Sequence, residues 1–200
     1  MESKSASIII LSGGTSVRFG SDKALALIEG KSLISRILSA IPTEFEIIIV
    51  GPDPQIENVN YYCVQETPIH GGPVAGIKAG LTVCTNEIVA LMATDMPFAT
   101  ARIVNLFNSM TSHDECVMYV DAEGMMQPLA AVYRVDALER ALLDMGASTG
   151  KSMRELISYL KVQEVSMTYE VAQALMDIDT PEDLARAIAY SNALSDNSLL

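Results

Sequence analysis

The 200-residue sequence is short of several things, and each shortage narrows its chemistry. It has three cysteines, Cys63, Cys84 and Cys116, scattered along the chain and odd in number. No pair has metal-ligand spacing, which argues against a structural zinc site or a disulfide framework and for reduced thiols in the core. Basic residues are few: 13 Lys and Arg against 25 Asp and Glu give a formal net charge of −12. A nucleic-acid-binding surface needs a basic stripe, so that class is set aside. No apolar run is long enough to span a bilayer, and the segment after Met1-Glu2-Ser3-Lys4-Ser5 is too short for the apolar core of a signal peptide. A cytoplasmic location is therefore expected, with no membrane and no nucleic acid among the partners. There are two histidines. His70 reads as a surface loop residue beside two glycines, and His113 sits in a polar connector with no assigned role. No internal repeat or low-complexity segment is present.

Half of the residues are hydrophobic and only 19% are charged, which is the composition of a chain with a large core. One domain over 1–200 is expected, with a nucleotide-binding half over about 1–100, an acceptor half over about 101–190 and a fraying tail at 191–200. The continuous apolar runs Ser7–Leu11, Ile47–Val50 and Ile88–Met92 read as strands buried on both faces, with a weaker run at Tyr61–Val64. Helical periods lie between them at about 32–40 and 73–83, and Pro73 suits a first helical turn. Alternating strands and helices predict a parallel α/β sheet with right-handed crossovers, whose ligands bind beyond the carboxyl ends of the strands. Further on, 116–120, 129–133 and 162–165 read as strands and 136–145, 152–160 and 181–189 as helices. Thr180 would cap the last of these, with Pro181 at its first position.

The feature that bears most directly on function is Leu11-Ser12-Gly13-Gly14-Thr15-Ser16-Val17-Arg18-Phe19-Gly20-Ser21-Asp22-Lys23, which begins as the first apolar run ends. Glycines let backbone N–H groups approach an anion, Arg18 offers a guanidinium fork and Lys23 a point charge. In so acidic a chain, this is the clearest place for a polyphosphate. The loop is neither a G-x-G-x-x-G fingerprint nor a P-loop. Gly150-Lys151-Ser152 imitates the end of a P-loop, but Met145 stands where glycine is needed and a helix precedes it; a turn and helix cap is the reading. Asp95 follows a buried strand at the ligand-binding edge. On its own it is as much a turn aspartate as a magnesium ligand. Asp177 and Asp179 flank Ile178 and would share one side of an extended segment, where either could meet Asp95.

These segments together carry a family resemblance. The glycine loop, Gly71-Gly72-Pro73-Val74-Ala75-Gly76-Ile77, Thr94-Asp95-Met96-Pro97-Phe98 and Asp177-Ile178-Asp179-Thr180-Pro181-Glu182-Asp183-Leu184 resemble, in the same order, the motifs of nucleotidyltransferases similar to molybdenum cofactor guanylyltransferase. Gln127-Pro128-Leu129-Ala130-Ala131-Val132-Tyr133-Arg134 also matches a family segment near the acceptor side. The resemblance runs from about Ile8 to Ala185. It implies a Rossmann-like three-layer α/β/α fold with a mostly parallel mixed sheet. It also implies an enzyme that transfers GMP from GTP to the phosphate of the molybdopterin cofactor, with Mg2+ and with release of pyrophosphate. Leu11, Ser12, Gly13, Gly14, Ser16 and Lys23 would hold the phosphates, with Arg18 on the triphosphate. Gly71, Gly72 and Pro73 would shape the base and ribose pocket, with Glu66 as the nearest match to a family aspartate there. Asp95 would bind the metal, joined by Asp179 as the favoured member of its pair. Arg18, Lys23 and Asp95 are the implied catalytic residues.

The chain departs from the family pattern in three places, one of them Glu66, a methylene longer than the family's aspartate. Val50-Gly51-Pro52-Asp53 stands where many members have Asn-x-Asn, and Asp177 and Asp179 stand where some have asparagines. A cytidylyl- or guanylyltransferase with another phosphorylated acceptor, or a nucleotide-binding module without turnover, therefore stays open at this point.

Overall fold

The computed structural model describes residues 6–12 and 26–197. The first half of the chain runs β1 (Ser7–Leu11), a hairpin of β2 (Leu27–Ile28) and β3 (Lys31–Ser32), α1 (Leu33–Ala40), β4 (Glu46–Val50), β5 (Tyr62–Val64), α2 (Pro73–Leu81) and β6 (Ile88–Ala93). The second half runs α3 (Thr100–Ser109), β7 (Cys116–Val120), β8 (Met126–Arg134), α4 (Val135–Met145), α5 (Met153–Ile157), β9 (Val162–Ser166), α6 (Tyr169–Ala174) and α7 (Pro181–Asn197).

Seven strands form one sheet in the order β5-β4-β1-β6-β8-β7-β9, and β8 alone runs antiparallel to its neighbours. In β1 the isoleucines alternate across the sheet, and Ile8, Ile9 and Ile10 are all fully buried. Ile8 and Ile10 meet α1 and α3 through Ile34, Ile37 and Ile103. Ile9 meets α2, α4 and α5 through Ile77, Leu138 and Leu156. Helices on both faces of a mostly parallel sheet make the three-layer α/β/α arrangement expected from the sequence.

After β1 the strand order moves outward through β4 and β5, then returns to β6 on the other side of β1. That reversal opens a crevice at the carboxyl ends of β1 and β6, where sheets of this kind bind ligands. The two ends are tied together: the Thr94 N–H and the Thr94 hydroxyl both donate to the Leu11 carbonyl, at 3.3 Å each.

Several local readings hold in the structure. Pro73 is the first residue of α2. Ser152 caps α5 in a reciprocal box with Glu155, so Gly150-Lys151-Ser152 is a turn and cap. Glu155 accepts from the Ser152 N–H and from Lys151, and its carboxyl is held down at about 2. Others are corrected. The helix expected to end near Ala189 continues to Asn197, and the segment expected to fray is docked at its start. There, buried Ser191 donates to Glu29 at 2.9 Å, and the Tyr190 ring meets Phe98 edge-on at 5.0 Å. The α5 helix is much shorter than the 152–160 expected, and Cys63 is exposed instead of lying in the core. Helices α3 and α6 and the β2–β3 hairpin come as additions.

Candidate active site

The site is built where β1 and β6 end. Beyond Leu11, the Ser12 N–H donates to the Val50 carbonyl at 2.8 Å, which continues the β1–β4 pairing one residue past the strand. Gly13, Gly14, Ser16, Arg18 and Lys23 lie outside the described residues. The chain re-enters the described structure at Ala26, just before the hairpin.

Asp95 stands two residues after β6 ends. Its backbone carbonyl accepts the Ile178 N–H at 3.0 Å, so a segment more than eighty positions later in the chain is pinned beside it. Ile178 is fully buried in a small cluster with Ile28, Leu33 and Ala187, flanked by Phe98, Met176 and Leu184. With Ile178 turned inward, Asp177 and Asp179 are both exposed, as the extended reading predicted. Asp177 and Asp95 line one cleft of about 310 Å³ together with Ala93, Met96, Gln127, Pro128, Leu129 and Leu175. The Asp179 backbone N–H donates to the Asp183 carboxylate at 3.1 Å, which places that residue at the capped start of α7.

That cap is strong. Asp183 accepts from the Thr180 hydroxyl at 2.8 Å and the Thr180 N–H at 2.9 Å, while its own N–H donates to the Thr180 hydroxyl at 3.2 Å. Arg186 also pairs with it. These donors, the Thr180 hydroxyl first and then Arg186, hold the Asp183 carboxyl at about 2.

The donor chemistry suits magnesium. Two carboxylates on one cleft supply hard oxygen ligands, and Mg2+ is commonly held by one or two carboxylates and completed by phosphate and water. Among the described residues no group of three or more His, Cys, Asp or Glu is arranged to hold a metal ion.

The start of α2 follows the carboxyl end of β5, and so lies toward the same edge of the sheet. Gly72 is the cap residue at φ +88°, a conformation that disfavours a side chain, and it provides no side-chain cap for the helix's first N–H groups. At Gly71 an added Cβ would lie 2.8 Å from the Pro68 carbonyl oxygen, so the turn closes only around glycine. A cis Thr67–Pro68 bond precedes it. Glu66 is buried and its carboxylate is engaged locally, accepting from the His70 N–H at 3.0 Å and from the Gln65 side chain at 2.5 Å. His70 itself is exposed. The Gly150 N–H donates to the Gly71 carbonyl at 2.8 Å, bracing this turn from the α5 side.

Comparison with known proteins assigns this geometry to a family. A family profile described as the MobA-like NTP transferase domain matches residues 8–165. The chain belongs to the MobA-like NTP transferase family. A probable molybdenum cofactor guanylyltransferase from Natranaerobius thermophilus is 30% identical over 199 residues, covering 92% of this chain and 95% of that relative. A second protein of that name from Bacillus anthracis is 28% identical and covers 90% of this chain and 94% of the relative. Among solved structures, the molybdopterin-guanine dinucleotide biosynthesis protein A of Archaeoglobus fulgidus superposes with a TM-score of 0.69 at 21% identity, covering 94% of this chain and 99% of that one. A Methanothermobacter nucleotidyl transferase superposes with a TM-score of 0.74 at 16% identity, covering 92% and 96%. At those identities the superpositions speak for the fold.

As a member of this family the chain is a nucleotidyltransferase. The matched domain ends at residue 165, before Asp177, Asp179 and α7. Among the described residues no helix is long and apolar enough to cross a membrane. The structure brings into the cleft Asp177, one of the two aspartates the sequence offered beside Asp95, and Gln127, which opens the segment expected near the acceptor side. Pro128 was the available signal for the second: proline inside a strand pattern marks an edge or a bulge, and bulges re-aim side chains beside active sites.

Proposed function

We propose that this nucleotidyltransferase moves GMP from GTP to the phosphate of a molybdopterin-type acceptor in a magnesium-dependent reaction. An oxygen of the acceptor phosphate forms a bond to the α-phosphorus, the bond from that phosphorus to the β-bridging oxygen breaks, and pyrophosphate leaves. The acceptor phosphate is already anionic at neutral pH, so no general base is required, in keeping with a chain that has only two histidines. Catalysis then rests on positioning and charge compensation.

The observation that carries this reading is the Ile178–Asp95 backbone hydrogen bond, with two separate acidic segments on one cleft beside the carboxyl end of β6. Asp95, with Asp177 or Asp179, would hold Mg2+, and the ion's part is to neutralise phosphate oxygens. Gly13, Gly14, Ser12, Ser16 and Leu11 would cradle the triphosphate, with Arg18 and Lys23 offsetting its charge. Gly71, Gly72 and Pro73 would bound the base and ribose, with Glu66 behind them. The guanine and molybdopterin assignments draw on the names of the relatives. A reaction between two small soluble substrates suits the cytoplasm.

The test is pyrophosphate release measured across GTP, CTP, ATP and UTP, with molybdopterin and other phosphorylated acceptors, with and without Mg2+. Release is expected with GTP and molybdopterin and is abolished by EDTA. Release confined to another triphosphate would overturn the guanine assignment, and release confined to another acceptor would overturn the pterin.

A further inference from the structure

The loop between α4 and α5 sets the second half of the chain against the first, at the turn that opens α2. Ser148-Thr149-Gly150-Lys151 form a four-residue turn, closed by the Lys151 N–H donating to the Ser148 carbonyl at 3.3 Å. Gly150 stands third in it at φ +72°, the left-handed region that a type II turn demands there and that glycine enters without steric cost. Just beyond, Ser152 closes its reciprocal box with Glu155, and Lys151 pairs with the same carboxylate at 2.9 Å. Met153, Leu156 and Ile157 of α5 are buried in one cluster with Val74 and Ile77 of α2. The turn is thus held on its carboxyl side by a cap and by core packing.

What this fixed turn presents to its neighbour is one N–H. The Gly150 N–H donates to the Gly71 carbonyl at 2.8 Å, and the Gly150 backbone and the Lys151 carbonyl lie within 3.9 Å of where a Gly72 Cβ would stand. A trans peptide is planar, with its C=O and N–H opposed. Pinning the Gly71 carbonyl therefore fixes the plane of the Gly71–Gly72 peptide and turns the Gly72 N–H away from the α4–α5 loop. With glycine on both sides, and Gly72 at φ +88°, this peptide has few steric limits of its own, so a bond from outside the turn sets its orientation.

We propose that Gly150 is a positioning residue for nucleotide binding: through the Gly71 carbonyl it sets the peptide that opens α2, and with it the surface against which the base and ribose lie. The inference rests on the transferase reading for the nucleotide's place at the start of α2. It gives Gly150-Lys151-Ser152, which imitates a P-loop in sequence, a part in nucleotide binding exerted through a second loop.

The experiment compares the full chain with Gly150→Val, Gly150→Asn and Ser152→Ala. An added Cβ at Gly150 meets nothing within 4 Å, so the substitutions probe backbone conformation and not room. Valine strongly disfavours positive φ, whereas asparagine tolerates it. Gly150→Val should turn the loop away and raise KM for GTP about five- to tenfold in pyrophosphate release, the worth of one neutral hydrogen bond, with KM for the acceptor and kcat within about twofold. Gly150→Asn should stay within about twofold of the wild type throughout. Ser152→Ala, which loosens the turn on its carboxyl side and leaves Gly150 in place, should raise KM for GTP about threefold. Calorimetric titration with GTP alone should show the same factors without turnover. A loop that only stabilises the fold would lower the melting temperature and the active fraction and leave KM and calorimetric affinity for GTP unchanged in Gly150→Val and Ser152→Ala; that result overturns the proposal and leaves the transferase reading standing. Equal weakening by Gly150→Asn and Gly150→Val overturns it as well. A wild type that binds GTP but releases no pyrophosphate with any acceptor, and binds it more weakly as Gly150→Val, sustains the role of Gly150 and sinks the transferase reading separately.

Discussion

Replacing Ile178 by alanine tests whether the acidic segment is held by packing. Ile178 is fully buried, and its cluster is small, with Ile28, Leu33 and Ala187 as its other buried members. Burying an isoleucine and then truncating it to alanine costs about 2–5 kcal/mol in well-packed cores. The neighbours Met176, Leu184 and Phe98 are only partly buried, so the cavity can relax and the lower half of that range applies, about 3 kcal/mol. In a chain of this length each kcal/mol lowers the melting temperature by about 2–4 °C, so a fall of about 6–12 °C is expected in thermal unfolding followed by circular dichroism. The Ile178 N–H to Asp95 bond is made by backbone, but its register depends on the side chain beneath it. Turnover should therefore fall with stability in Ile178→Ala, and Ile178→Val, which removes one methylene at a cost of about 1 kcal/mol, should keep most of both. A loss below about 1 kcal/mol for the alanine variant, measured by urea titration, would show that the cluster does not hold the segment.

Three other expectations follow from the site. Asp95→Asn and Lys23→Ala should each cut pyrophosphate release by about a hundredfold or more while leaving the melting temperature nearly unchanged, as loss of a transition-state contact does. Asp183→Asn should weaken the cap of α7 by about 1 kcal/mol at neutral pH. Because the folded Asp183 carboxyl titrates at about 2, below the ordinary value, its contribution is complete above about pH 4 and is lost as pH falls toward 2. Unfolding curves of wild type and variant should thus converge over that interval. Asp177→Asn should slow turnover while leaving the melting temperature within about 2 °C, since its side chain is exposed and outside the core.

What could be read from the sequence, and what could not, separates along physical lines. Strands β1, β4 and β6 are legible because both of their faces are buried and every position must be apolar. The caps at Ser152 and Thr180 are legible because a hydroxyl with an acidic residue three positions later satisfies two backbone donors locally. Helix α3 escaped because only Thr100, Ile103 and Leu106 are buried and its cap residue, Ala99, has no side-chain acceptor. The β2–β3 hairpin escaped because its turn residues are Glu29 and Gly30, at φ +50° and +77°, and glutamate gives a weaker signal for that geometry than asparagine or aspartate. The link from Ile178 to Asp95 is a backbone hydrogen bond between distant positions and leaves no residue-type signature, although the Asp-Ile-Asp alternation did tell which side chain turns inward.

The arrangement of charge explains why the site needs parts from so many places in the chain. A cleft with Asp95 and Asp177 on its lining and no lysine or arginine among its described lining residues would repel phosphate unaided, yet the family transfers a nucleotide from a triphosphate. Two like charges on one cleft repel, so the pair has to be held there by other groups. Here the spacing is set by groups that do not titrate: a backbone hydrogen bond, a buried isoleucine, and an aromatic contact between Phe98 and Tyr190 that ties the loop after Asp95 to α7. The same Phe98 ring lies 5.4 Å from the Arg36 guanidinium, whose side chain donates to the Ile28 carbonyl of the hairpin that follows the glycine loop. One small cluster therefore joins the Asp95 loop, the Asp177–Asp179 segment and the re-entry point of the glycine loop. Cationic groups brought by the substrate complex and by Arg18 and Lys23 would find the acidic side already in place, so their binding energy need not be spent on ordering it.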